Sequence, residues 1–421
     1  MVWLGLVAVG LAVVVIATTS GTDLGSDAMP FLGSYRLEIS PLAVLAPLIA
    51  AIVLAVARTR FAARMSWRSV YWASYGAGLA WNVSLAVIPG PAGLSRYLAD
   101  VDGYLPAVES ISSISSLLES FADPTGDLST ATTGHPPGSL LLLWGLKSLP
   151  LSDTLSGIVY AAITALLIPL VLVTARRTCG PAAARRLAPF LVLAPWAIWM
   201  VVGPDAITAV LGAAALAAAS HASLRTRRGW SAAAWAAAAG LLLAAATMFA
   251  YLAAWFGLSI VCLYFARRRP WHNLATSAGA LLPLAALQWT GFNWADALTV
   301  AYHGYLERIE FDRSLLWWIP FSVVVLILAC GPGLVSSARK MRNTPAWPFL
   351  IGAAAAIAFS ICMGVARGGV EETWLPLFPW LIVAATAPPE PGGRPVPFPW
   401  MLTAVTAVSA IIIEAILISP W

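Results

Sequence analysis

The sequence predicts an all-α fold, a polytopic transmembrane helix bundle of about 13 helices, and three observations carry that prediction. Of the 421 residues, 60% are hydrophobic and only 10% are charged, against about 25% charged in an ordinary soluble domain. Runs of roughly 17 or more apolar residues, each able to cross ~30 Å of hydrocarbon, recur along nearly the whole chain. The basic residues sit in short clusters between those runs, where orientation signals belong. No connection is long enough to build a soluble domain, so residues 1–421 read as one membrane domain.

The candidate helices cover residues 2–17, 41–57, 70–88, 154–175, 187–203, 204–221, 229–246, 247–266, 273–291, 315–335, 347–365, 373–387 and 400–418. The first lacks a basic flank and a small-residue cleavage site, so it reads as a retained helix rather than a signal peptide. Between Gly229 and Ala266 both flanks are basic, which demands an even number of crossings. Two short helices meeting near Thr247 satisfy that demand; one long buried crossing is the alternative.

Alternate connections collect 18 of the 24 Lys and Arg residues, from the Arg58–Arg68 group to Arg394. The positive-inside rule makes that side cytoplasmic, with the N-terminus on it, in a multi-pass protein of the plasma membrane. The net charge of +5 is therefore an orientation signal, and nucleic acid is not an expected partner. The acids do the opposite: 17 of 19 fall on outer loops or outer helix ends. Orientation does not require this, because acids contribute little to it. The outer face uses carboxylates. Cys179, Cys262, Cys330 and Cys362 lie far apart with no CxxC or Cys/His spacing, which argues against disulfides or a zinc site.

Two outer loops stand out. Residues 89–138 form a connection far longer than the usual ~4–6 residues. Within it Ile111, Ile114, Leu117, Leu118 and Phe121 recur at helical spacing opposite a serine-rich face, the pattern of an amphipathic helix on the membrane surface. The apolar piece from Leu140 to Leu149 is too short to span and opens after Pro136 and Pro137, which suit a helix start. Residues 292–314 form the second loop, carrying His303, Arg308 and Arg313 as candidate substrate-binding residues inside a belt of Trp and Tyr.

Three motifs could carry chemistry. RYLADVDGYLPAVES sets Asp100 and Asp102 beyond a helix end. A carboxylate at the boundary can act as a general base once desolvation raises its pKa, and two together can share a divalent metal. The plain alternative is a pair of solvated loop acids. In TTGHPPGS, His135 precedes a stiff Pro-Pro step at a helix start, a place that holds anions. The alternative is a helix-breaking turn. In GVARGGVEETWLPLFPWL, Arg367 suits bidentate binding of a lipid-linked phosphate, with Glu371 beside it. The alternative is a snorkelling arginine paired with Glu371. Asp205, in VVGPDA, reads as a helix N-cap.

Together these features resemble the type C glycosyltransferase superfamily, whose members use polyprenyl-phosphate-linked sugars. The shared plan is an acid in a long first outer loop, surface helices in that loop, and HPPG closing it. Protein O-mannosyltransferases and lipid A aminoarabinose transferases have the same plan. YLADV, GHPPG and RGGVEETWLPLFPWL are also similar to an actinobacterial set of integral membrane proteins, from which this chain departs by carrying Gly369 and Glu372 where that set has an acid and a base. The resemblance implies an inverting transfer of sugar from a polyprenyl-phosphate donor to an extracytoplasmic envelope glycan, lipid or protein. Asp100 and Asp102 would be catalytic, while His135 and Arg367 would hold the donor phosphate. No cofactor is implied with certainty, and a divalent metal stays open. The rival class is a transporter or lipid flippase, against which stands the lack of ionisable residues near helix centres.

Overall fold

The computed structural model describes residues 2–21, 24–96, 107–109, 111–121, 134–201, 203–309, 313–386 and 398–419. Helices make up 77% of it. Among the described residues the strands are Ser34–Tyr35 and Leu417–Ile418, paired antiparallel with Ser34 opposite Ile418. That clip is extended by the Arg36 and Glu38 N–H groups, which donate to the carbonyls of Ile416 and Ala415. It ties the segment after the first helix to the end of the last one. The fold is all-α.

Among the described residues, four helices are long and apolar enough to cross a membrane: Val2–Thr19, Asp153–Cys179, Pro204–Ala222 and Gly229–Thr247. Shorter apolar helices include Pro41–Ala57, Tyr251–Ala266, Leu315–Cys330, Trp347–Cys362 and Trp400–Ile416. The Asp153–Cys179 unit bends at Ala165–Leu166, between the helices Asp153–Thr164 and Leu167–Cys179. The pair expected between Gly229 and Ala266 forms as two helices, the first ending at Thr247. The outer faces are strongly apolar, with Leu281, Leu282, Val9 and Ile16 all more than half exposed. Such surfaces suit a hydrocarbon solvent and would be costly in water.

Pro204–Ala222 is the central helix, with buried residues on every side. Its alanines let neighbours approach closely, the usual packing device where no hydrophobic force separates helix from solvent. The same device joins Gly229–Thr247 to His272–Leu287. A Cβ on Gly240 would strike the Thr276 carbonyl, and one on Gly279 would strike that of Ala237.

Two expectations need correction. Residues 187–203 do not make one helix. The helix Pro181–Val192 ends, and a 3₁₀ segment, Pro195–Met200, follows with Trp199 out of helical conformation. Pro195 supplies no N–H to continue the ladder. Residues 292–314 are not simply a loop, because Trp294–Ile309 is a helix. Asn293 begins it, its side-chain oxygen accepting from the N–H of Ala295 at 3.0 Å. His303 therefore sits on a helix, while Arg313 lies beyond its end.

Candidate functional site

The first of three converging segments is the HPPG step. The helix Gly138–Lys147 starts right after Pro137, as the sequence suggests. The Gly138 N–H donates to the Met248 carbonyl at 2.7 Å, and a Cβ at Gly138 would collide with that oxygen. Only glycine lets the two backbones touch. The contact docks the loop on the turn that ends Gly229–Thr247, and it brings His135 Nδ1 to 3.3 Å from the Phe249 carbonyl. A carbonyl only accepts, so in this contact Nδ1 acts as the donor.

The second segment is the turn before the central helix. Gly203 is the N-cap and Pro204 the first helical residue, so Asp205 lies inside the first turn and is not the cap. The Tyr160 hydroxyl donates to the Gly203 carbonyl at 2.5 Å and fixes the turn. Asp205 is fully buried, and among the described residues neither carboxylate oxygen has a hydrogen-bond partner. His135 Nδ1 stands 3.9 Å from Asp205 Oδ2.

The third segment is RGGVEET. Gly368 and Gly369 take left-handed φ angles of +97° and +73°, which turn the chain sharply into the short helix Val370–Thr373. The Thr373 hydroxyl donates back to the Gly369 carbonyl at 3.0 Å. Trp374 Nε1 donates to Ser360 Oγ at 2.9 Å, anchoring the turn to Trp347–Cys362. Glu371 and Glu372 are both buried. Glu371 Oε1 accepts from the Leu32 N–H at 3.3 Å, whereas Glu372 Oε1 lies against Gly203, 2.9 Å from where a Cβ would sit.

One ligand-capable atom from each of His135, Asp205 and Glu372 thus lies within 4.8 Å of the others. Burial raises the Glu372 carboxyl well above the usual carboxylate range, and the nearby acids Asp205 and Glu371 raise it further. Burial also pushes the His135 imidazole down to about 4, against the smaller raising effect of the Phe249 carbonyl. Charge concentrated in a dry site must be shared with a proton or a cation.

Arg367 sits one turn before this cluster and meets Arg313. Arg367 Nη1 donates to the Arg313 carbonyl at 3.4 Å, and Arg313 Nη1 donates to that of Arg367 at 3.1 Å. The Tyr305 hydroxyl accepts from the Arg367 N–H at 3.4 Å, and the Arg313 guanidinium lies 5.7 Å from the Trp318 ring. Each arginine thus donates to the other's main-chain carbonyl, which ties the segment around Arg313 to the start of RGGVEET.

Of the residues singled out from sequence, the structure unites His135 with Asp205 and Glu372, and Arg367 with Arg313. His303 belongs to neither group: it is exposed, with Nδ1 2.9 Å from the Thr299 carbonyl of its own helix. Asp100 and Asp102 lie outside the described residues, as does the Arg308 side chain. Sequence reasoning underrated Asp205 and Glu372. The signal for Asp205 was an acid one residue past Gly-Pro, too late to cap its helix. No protein-family model matches the chain, and no curated protein is significantly similar to it.

Proposed function

We propose that this chain is a glycosyltransferase of the type C plan, with about 13 membrane crossings in all. It moves a sugar from a polyprenyl phosphate to an extracytoplasmic envelope acceptor. The N-terminus is cytoplasmic and the acidic end of the bundle faces outward. One observation carries the reading: three distant segments of the acidic end, HPPG, GPD and RGGVEE, meet in a buried His135–Asp205–Glu372 cluster, and the Arg367 that opens RGGVEE exchanges hydrogen bonds with Arg313. Such concentration of unsatisfied polar chemistry in an apolar bundle marks a functional site.

In this mechanism a carboxylate, Asp100 with Asp102 near it, accepts the proton of the acceptor hydroxyl. The oxygen attacks the anomeric carbon, and the bond from that carbon to the phosphate oxygen breaks with inversion. The lipid phosphate leaves with the bonding electrons, its growing charge met by Arg313 and Arg367. His135 takes a different part from direct phosphate binding. Two carboxylates beside it would repel a bare phosphate, so it serves the acid cluster. The test is purified full-length protein in nanodiscs supplied with a panel of polyprenyl-phosphate sugars and envelope extract as acceptor. Glycosylated product and free polyprenyl phosphate should appear together; hydrolysis or transfer with none of the panel sinks the reading.

The buried acid–histidine cluster also favours a second reading, a cation-coupled transporter. Proteoliposomes separate the two: solute flux driven by a proton or cation gradient, with no lipid phosphate released, would select transport.

A further inference from the structure

We propose that His135, Asp205 and Glu372 bind one divalent transition-metal cation of the Zn²⁺ or Mn²⁺ kind. Each residue offers one donor atom, and the three lie within 4.8 Å of one another. Metal–ligand bonds of ~2.0–2.2 Å set neighbouring donors about 3–3.6 Å apart, so small side-chain rotations close the set around an ion. The second observation is independent of that spacing. Asp205 is wholly buried, and among the described residues no donor reaches either of its oxygens; Glu372 Oε1 is buried without a donor too. A carboxylate only accepts, so a buried one needs donors or a cation. A divalent ion supplies what both acids lack and cancels their combined charge.

The donor chemistry narrows the ion. One imidazole nitrogen with two carboxylate oxygens is a mixed set that suits zinc or manganese, while copper(I) favours sulfur and magnesium favours oxygen alone. The ring is held at the cluster by two neighbours: His135 Nδ1 stands 3.3 Å from the Phe249 carbonyl and 3.9 Å from Asp205 Oδ2. The three ligands sit on fixed backbone: Gly138 bonded to Met248, Gly203 bonded to Tyr160, and the left-handed Gly368–Gly369 turn. Three protein donors leave coordination positions for an outside oxygen, and a phosphoryl oxygen fits them. That use rests on the transfer reading proposed above; the binding of metal does not.

The experiment uses the purified full chain, stripped with chelator and equilibrated with Zn²⁺ or Mn²⁺ alone. About one ion per chain is expected to remain after gel filtration, with a metal-dependent rise in melting temperature. Asp205→Asn, Glu372→Gln and His135→Gln should each weaken binding by on the order of 100-fold or more. The melting curves of the stripped variants establish that they fold. If a variant does not fold, Co²⁺ substitution into the wild type decides, because visible bands of mixed nitrogen–oxygen coordination must then appear. Wild-type protein retaining under a tenth of an ion per chain overturns the site, as does equal retention by all folded variants. A wild type without metal whose Asp205 and Glu372 share a proton overturns it as well. Because the readout is metal content, a chain that binds metal but transfers no sugar keeps this site and loses only the transfer reading.

Discussion

The two ends of the bundle treat buried charge in opposite ways. At the basic end, guanidinium groups are spent on the carbonyls of neighbouring backbone. Arg177 donates to the Ala217 carbonyl at 2.9 Å, Arg267 to that of Arg177 at 2.7 Å, and Arg185 to that of Met65 at 2.7 Å. Arg176 and Arg185 also lie over the Trp67 ring, 4.4 and 4.6 Å from its centroid. Those carbonyls lie near helix C-termini, where cations complement the helix dipole. At the acidic end no donor among the described residues reaches either oxygen of Asp205. One end is charge used for structure. The other is charge left over, which a protein keeps only where something else completes it.

The largest expected effect falls at the acidic end. If that end houses the transfer chemistry, Asp100→Asn should cut turnover by ~10²–10⁴-fold, the usual worth of a general base. Donor binding should change little, because the amide keeps the shape and loses only proton acceptance. Single-turnover rates with a labelled lipid donor check this, and wild-type turnover in the variant would remove Asp100 from the mechanism. Arg367→Ala should do the reverse, raising KM for the donor more than it lowers kcat.

Next in size is the pH dependence of stability in chelator-treated protein. His135 falls from 6.5 unfolded to about 4 folded. Its contribution is therefore present above 6.5 and is lost as pH falls toward 4, by at most about 3 kcal/mol. Glu372 has the opposite sign. Its folded carboxyl lies above the unfolded value of 4.5, so stability is full below 4.5 and declines as pH rises through the folded value. His135→Gln should flatten the acid limb of a melting-temperature profile, and Glu372→Gln the alkaline one. Parallel profiles for both variants and the wild type would show that neither group is as buried as described.

Smaller again is a direct contrast of the two ends at neutral pH. Arg177→Ala removes charged hydrogen bonds to the Ala217 carbonyl and Ser220 Oγ, and should destabilise by about 1.5–3 kcal/mol. Glu372→Gln removes a like-charge neighbour of Asp205 and should stabilise the metal-free protein by about 1–2 kcal/mol. Melting temperatures in one detergent read both signs; loss of stability in each would erase the contrast between the ends.

Most of this layout was legible in the sequence. The helix runs followed from apolar length, and the break near Thr247 followed from basic flanks on both sides. HPPG marked a helix start because a proline there forfeits no helical hydrogen bond. What escaped was convergence. His135, Asp205 and Glu372 are joined by contacts between backbones, such as Gly138 on Met248, that leave no periodic trace in a chain. Asp205 looked like a cap because acids near helix starts usually are, and only the position of Gly203 as N-cap shows otherwise. Trp294–Ile309 was hidden by its polar face, since a helix that lies along a surface lacks the unbroken apolar run of a crossing one.

The smallest effect expected is at His303, and it sharpens the comparison by marking where the acidic end stops. The residue shares its sequence neighbourhood with Arg313 and its chemistry with His135, so by composition it is an equal candidate. Geometry separates them. His135 is partly buried against Asp205, whereas His303 is exposed and turns Nδ1 back to the Thr299 carbonyl at 2.9 Å. An exposed side chain bonded to its own helix loses little on truncation, so His303→Ala should change stability by no more than about 0.5 kcal/mol. Its donor KM and kcat should stay within about twofold of wild type, since 1.4 kcal/mol is needed for a tenfold change. His135→Ala measured beside it should lose activity at saturating donor, because the acid cluster loses its one nitrogen. Equal and severe losses at both histidines would place the Trp294–Ile309 helix over the reacting groups, and the site would then extend across the whole outer surface.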